Sequence, residues 1–294
     1  MSSTQKNGKR RAGLESVSPV VPVQTTYYVP ERDVDKSPIL QCINLGISFG
    51  GLKAVEDFNL TLGRTEIAGL IGPSGAGKTT IFNLLTKVYQ PTHGTILLDG
   101  KDTANMTTAQ VNRAGIARTF QNIRLFHNQT VADNVLIGLH NEMDYGMLGG
   151  ILRLPNYWRA EKIARNRAME YLALFHLDQH ADELAGSLPY GAQRRLEIAR
   201  ALATNPSLLL LDEPAAGMNP SETAELMENI VKIRDTFHIA ILLIEHDMSL
   251  VMNICEGIAV LNFGRLIAKG NADAIRNDPT VVEAYLGRKG AKES

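Results

Sequence analysis

The octapeptide GPSGAGKT, Gly72 to Thr79, constrains this chain more than any other stretch. An apolar run from Glu66 to Ile71 leads into it. TTIFNLLTKVY follows it, with Ile81, Leu84, Leu85 and Val88 recurring at offsets of three and four. That order predicts a strand, a tight glycine-rich turn and an amphipathic helix. Such a turn is a P-loop, in which backbone N–H groups point at phosphate oxygens. The helix N-terminus adds partial positive charge at the same place. Gly72, Pro73, Ser74, Gly75, Ala76 and Gly77 are therefore candidates to wrap the phosphates of ATP, with Thr80 closing the run. Lys78 is placed to reach the β- and γ-phosphates, and the Thr79 hydroxyl to ligate Mg2+.

The rest of the chain supplies a fold to hold that turn. ILQCINLGISF, AVEDFNLTL and GTILLDG read as strands. SLLLLDEP and IAILLIEHD are short, fully apolar runs, the pattern of central parallel strands covered on both faces. SETAELMENIVKIRDTF between them reads as a helix. Strand and helix alternate, so the class is α/β with a largely parallel sheet. Gln121 to about Leu188 is expected to be mostly helical. Thr130 and Asp133 have capping-box spacing there. Ala164, Ala168, Tyr171, Leu172 and Phe175 form a helical stripe read as core packing. Residues 1–37 are rich in Ser, Thr, Pro and charge, and read as a disordered tail.

Composition removes several classes. Of the 294 residues 44% are hydrophobic and 21% charged, an ordinary globular balance. A net charge of −1 gives no reason to expect nucleic acid as a partner. No run of eighteen apolar residues spans a membrane, and the N-terminus does not read as a secretory signal. Cys42 and Cys255 lack metal-ligand spacing and read as buried small hydrophobes.

A P-loop specifies a phosphate site, not a reaction. Asp212 ends the apolar run Leu208 to Leu211, at the strand end where open α/β sheets bind ligands. It suits Mg2+ held through water. Glu213 is next, placed to polarise water for in-line attack. His246 follows IAILLIE and could donate to the γ-phosphate if its strand neighbours that of Asp212. Gln121 offers an amide to Mg2+ or to the attacking water.

With those residues in place, the chain resembles ATP-binding cassette (ABC) ATPases from about residue 39 to 287. The resemblance implies further roles. Phe49, 29 residues before Lys78, matches an aromatic that stacks on adenine. Gln121 marks the Q-loop and Leu188 to Ala192 the signature, whose Pro189, Tyr190, Gly191 and Ala192 would face ATP on a partner. Asp212 and Glu213 are Walker B, Ala215 to Asn219 the D-loop, and His246 the switch histidine. The implied fold is a P-loop NTPase domain over 38–288. It combines a mainly parallel core sheet, an antiparallel β subdomain and a helical subdomain at about 122–190, with a short tail at 289–294.

ISFGGLKAV, ARTFQNIRLF, YGAQRRLEIARAL, DEPAAGMNP, NDPTVVEAYLG and the extra segment GMLGGILRLPNYWR are similar to the ATP-binding subunits of branched-chain amino acid importers. That implies a second ATPase subunit, two transmembrane permease subunits, a substrate-binding protein acting indirectly, and a peripheral place on the cytoplasmic face of the membrane. Urea, amide and other amino-acid importers and envelope-lipid extraction ATPases are the alternatives for cargo. A GTPase reading lacks the Asn-Lys-x-Asp sequence for guanine. Cassettes acting on ribosomes or DNA typically carry two cassettes or a long coiled coil.

Two departures stand out. The family's usual signature is Leu-Ser-Gly-Gly-Gln, whereas Pro189 has neither hydroxyl nor N–H. Pro189 suits a first helical position, since its φ is preset. Asn219 stands where most members have Asp. Both departures concern ATP on the partner, which points to an unequal heterodimer.

Overall fold

The computed structural model describes residues 37–139 and 155–286. Of the expected tails, residues 1–36 of 1–37 and all of 289–294, with residues 146–154 of the extra segment, lie outside them. The strands are β1 (Leu40–Phe49), β2 (Leu52–Leu62), β3 (Ile67–Ile71), β4 (His93–Leu98), β5 (Lys101–Asp102), β6 (Ile116–Arg118), β7 (Leu208–Asp212), β8 (Ala240–Ile244), β9 (Gly257–Asn262) and β10 (Arg265–Gly270). The helices are α1 (Lys78–Leu85), α2 (Thr108–Arg113), α3 (Val131–Leu139), α4 (Pro155–Leu174), α5 (Tyr190–Leu202), α6 (Pro220–Phe237), α7 (Met248–Ile254), α8 (Ala272–Arg276) and α9 (Pro279–Leu286).

Two sheets divide the work. β2-β1-β4-β5 is antiparallel. β10-β9-β3-β8-β7-β6 is parallel except for the edge strand β10. Every residue of β3, β7 and β8 is buried, as their unbroken apolar runs predict. Alternation sends Ile67, Ile71, Leu209, Leu211, Ile241 and Leu243 to one face, against α3, α5 and α6. Ala68, Leu70, Leu208, Leu210, Leu242 and Ile244 face the other way, toward α1 and the antiparallel sheet. The register pairs Leu70 and Asp212 with Ile244. The P-loop, Asp212 and the segment after Ile244 thus leave the sheet at one edge.

The stripe at Ala164, Ala168, Tyr171, Leu172 and Phe175 is buried, and Tyr171 stacks on Phe237 at 5.7 Å. The Thr130 hydroxyl accepts from the Asp133 N–H at 3.0 Å, as in a cap. Both cysteines are free and buried. Burial pushes the Cys42 thiol up to about 12 and that of Cys255 up as well.

One expectation needs correcting. Helix begins at Val131, and residues 121–130 run as a loop. The reason lies in distant side chains that satisfy its backbone. The Phe120 and Gln121 carbonyls accept from Arg194, at 2.6 Å each. The N–H groups of Phe120 and Arg124 donate to Glu197. Asn134 pairs with both the N–H and the carbonyl of Phe126. A backbone satisfied this way has no need of an intrahelical ladder.

Candidate active site

β3 delivers the chain into the P-loop, and the glycines there are sterically required. A Cβ at Gly77 (φ 106°) would stand 2.9 Å from the Ala54 carbonyl oxygen, and one at Gly72 only 2.0 Å from that of Leu261. Gly77 is also the N-cap of α1, which has no side-chain cap. First-turn N–H groups are therefore left for an anion. Lys78 Nζ curls back over the loop, donating to the Gly72 and Pro73 carbonyls at 2.7 and 3.0 Å. Burial lowers its pKa, while the charges of Glu213 and Asp212 pull it back up. Lysine and both carboxylates thus share one electrostatic site.

Glu213 is the centre of that site. It lies just past β7 with φ 49°, a left-handed conformation that strains a non-glycine residue. Its N–H donates to the Ile244 carbonyl at 2.9 Å, which holds it to β8. Its carboxylate accepts from Gln121 Nε2 at 2.7 Å and meets His246 Nε2 at 2.7 Å. Strand pairing brings in His246, since β7 and β8 are neighbours. Thr79 is exposed at the start of α1. Thr79, Asp212 and Gln121 together offer only oxygen ligands, the donor type of a hard divalent cation completed by phosphates and water. Among the described residues no three His, Cys, Asp or Glu cluster as a metal cage. Phe49 ends β1 on the antiparallel sheet, exposed and edge-on to Tyr89 at 5.2 Å.

The residues expected to face a partner form a second group. Pro189 is the N-cap of α5, not its first helical residue, and provides no side-chain cap. The first bond of α5 runs from the Gln193 N–H to the Pro189 carbonyl at 3.0 Å. The N–H groups of Tyr190, Gly191 and Ala192 precede that bond and form an uncapped helix start. Asn219 caps α6 through a capping box with Glu222, at 2.9 and 3.0 Å. Asn and Asp are equivalent in that role, so the departure at 219 keeps the turn.

Four residues of the site escaped the sequence reading. Arg118 is buried and ion-paired with Asp212 at 2.7 Å. It also donates to Asn83 and lies over the rings of Phe82 and Phe120. Glu245 is buried and accepts from the Ala215 N–H at 2.7 Å and the His246 N–H at 3.0 Å, joining the D-loop to the switch histidine. Its burial raises its pKa, against the pull of those N–H groups. Arg194 and Glu197 pair across one turn of α5 inside the protein. In the sequence that pair looks like an ordinary surface contact at helical spacing.

The chain as a whole is similar to known proteins. The family described as ABC transporter matches over residues 55–216, and that described as branched-chain amino acid ATP-binding cassette transporter over 265–291. The high-affinity branched-chain amino acid transport ATP-binding protein LivG of Escherichia coli is 49% identical over 85% of this chain and 98% of its own length. BraF of Pseudomonas aeruginosa, of the same description, is 46% identical over the same shares. An ATP-binding cassette of an ABC transporter, solved in its ADP conformation, superposes with a TM-score of 0.74 at 30% identity, over 85% of this chain and 99% of that one. A P-loop, a strained Walker B glutamate bonded to the Q-loop and switch residues, and relatives matched from end to end converge on one conclusion: the chain belongs to the ATP-binding cassettes of ABC transporters, and it is an ATP-binding, ATP-hydrolysing subunit.

Proposed function

We propose that this chain powers an importer for branched-chain amino acids, as one of two unequal ATPase subunits. The observation that carries the reading is the Glu213 carboxylate, held between Gln121 and His246 at 2.7 Å each and electrostatically coupled to Lys78. Arrival of ATP exchanges those mutual bonds for contacts to the γ-phosphate and water. Glu213 then polarises the attacking water, and His246 donates to the γ-phosphate. Lys78, with the backbone from Gly72 to Thr80, holds the phosphates, and Phe49 stacks on adenine. Mg2+, held by Thr79, Gln121 and, through water, Asp212, would neutralise charge on the β- and γ-phosphates. These residues belong to one cassette domain over 38–288, with its helical subdomain at about 122–190.

Pro189, Tyr190, Gly191 and Ala192 face ATP bound by a second ATPase subunit. Missing the serine hydroxyl costs about 1.5–3 kcal/mol at that site, so the two sites of a heterodimer would work at unequal rates. The two ATPase subunits dock on two permease subunits, and a substrate-binding protein acts through those. A groove of about 420 Å³ beside the Q-loop supports the docking. Arg124 lies over Phe120 at 4.2 Å and Arg200 over Phe126 at 5.7 Å, and Phe126 and Ile137 are exposed there. An apolar floor with basic rims fits an amphipathic helix of a membrane subunit. Among the described residues no helix is long and apolar enough to cross a membrane. The proposed place of the chain is peripheral, on the cytoplasmic face of the membrane.

The lipopolysaccharide export ATP-binding protein LptB of Haemophilus influenzae is 33% identical, against 49% for LivG, which favours amino-acid cargo over lipid extraction. Vesicles holding the chain with its permease subunits, partner ATPase and binding protein test this. ATP-driven uptake of leucine, isoleucine and valine is expected, with loss in Glu213→Gln. Uptake of urea or short amides instead moves the cargo. A stable homodimer on nucleic acid, without membrane subunits, overturns transport. Pre-steady-state hydrolysis with Glu213→Gln and with the matching partner variant tests the asymmetry, and equal losses would sink it.

A further inference from the structure

Arg194 is the largest fully buried side chain of the protein's described part, and its guanidinium is spread over four acceptors. Nη1 donates to the Phe120 carbonyl at 2.6 Å and to Glu197 at 3.0 Å. Nη2 donates to the Gln121 carbonyl at 2.6 Å and to the Tyr190 hydroxyl at 3.2 Å. Glu197 holds the same loop from the other side, through the N–H groups of Phe120 and Arg124. The planar fork of arginine can meet several fixed acceptors at once, which a lysine cannot.

The chain of contacts continues beyond Tyr190. Its ring lies on Gly217 of the D-loop, where an added Cβ would come within 3.2 Å of it. Gly191 abuts Glu222, the residue that completes the cap at Asn219. A Cβ on Gly191 would stand 2.8 Å from its Oε1. One guanidinium thus joins the backbone around Gln121 to the start of α5, and the tyrosine ring joins that start to the D-loop. Many family signatures have glycine where Tyr190 stands, and glycine offers neither ring nor hydroxyl to such a connection.

The geometry points to Arg194 and Tyr190 as positioning residues. They form a strut through which the Q-loop beside this chain's own ATP sets the placement of the signature and D-loop offered to the partner's ATP. This inference rests on the roles proposed above for Gln121 and for Pro189 to Ala192. Binding at one site then biases the other, and the bias is reciprocal. Buried, short, charge-assisted bonds suit such a link because they hold one arrangement or another and do not deform smoothly.

Amide hydrogen exchange on the full-length chain tests the strut. Peptides covering Leu188–Gln193 and Ala215–Asn219 are followed with and without Mg-ATP, at nucleotide saturation of each protein. In the unaltered chain, ATP is expected to change exchange in both peptides by about fivefold or more. Tyr190→Phe should reduce that change severalfold, and Arg194→Lys should remove it. Full retention of the change in both variants overturns the strut. So does a rise in exchange that is equal with and without ATP, since that marks packing alone. If Arg194→Lys does not fold, Tyr190→Phe decides, because it removes one oxygen from a partly exposed ring. A separate arm titrates a fluorescent ATP analogue against Lys78→Ala. Undiminished binding there would count against the proposed ATP site itself, whatever the strut variants do.

Discussion

The two halves of the nucleotide machinery are built from different materials. The half proposed to hold this chain's own ATP sets charged side chains at the ends of buried parallel strands beside the P-loop backbone. Asp212 is clamped by Arg118, and Glu213 by Gln121 and His246. The half proposed to face a partner consists of backbone N–H groups at the start of α5 and a capped turn before α6. The first fails when a charge is removed. The second tolerates changes at Pro189 and Asn219, provided the helix start, its glycine contacts and the Tyr190 ring survive. That contrast explains how Pro189 and Asn219 can depart from the family pattern while Lys78, Asp212 and Glu213 do not.

The contrast can be broken most directly at Glu213. Glu213→Gln keeps the shape at φ 49° but removes the base, so hydrolysis should fall by about 10²–10⁴-fold while ATP remains bound. Single-turnover hydrolysis beside equilibrium binding separates the two effects. Arg118→Leu comes next. It leaves Asp212 buried without its counter-charge and should cost about 3–5 kcal/mol of stability, measured by denaturant unfolding. Loss well below that would mean Asp212 reaches water freely. On the partner-facing half, Pro189→Ser should instead improve function. A restored hydroxyl bond to a phosphate is worth about 1.5–3 kcal/mol, or roughly a tenfold to hundredfold gain in turnover at the partner's site. No gain there would show that backbone donors alone complete that site. Asn219→Asp keeps the cap and adds a charge at the start of α6, for about 0.3–1 kcal/mol of stability. Cys42 and Cys255 belong to neither half. With the Cys42 thiol held up to about 12 and Cys255 also raised, neither should react with iodoacetamide at pH 8 until the chain unfolds.

The sequence carried the own-ATP half well because phosphate chemistry is written in local spacing. Gly72 to Thr79 is one contiguous turn, and Asp212, Glu213 and His246 sit at the ends of apolar runs. Sheet order was less accessible, yet the neighbouring of β7 and β8 followed from the chemistry asked of Glu213 and His246. The loop at 121–130 did not stand out within a stretch expected to be mostly helical, because its partners are remote. Arg194 and Glu197 lie 73 to 77 positions away from the backbone groups they hold. Arg118 and Asp212 are 94 positions apart. Nothing in the local pattern at IARTF or RRLE separates such buried charges from solvated ones.

The uncapped start of α5 has a kinetic meaning as well. Among the described residues, no side chain caps the N–H groups of Tyr190, Gly191 and Ala192. If they face a second ATPase subunit as proposed, half of each hydrolytic centre arrives from another molecule. Freed from its complex, the chain should hydrolyse ATP at a rate governed by the product of two protein concentrations. Dilution alone would then switch it off.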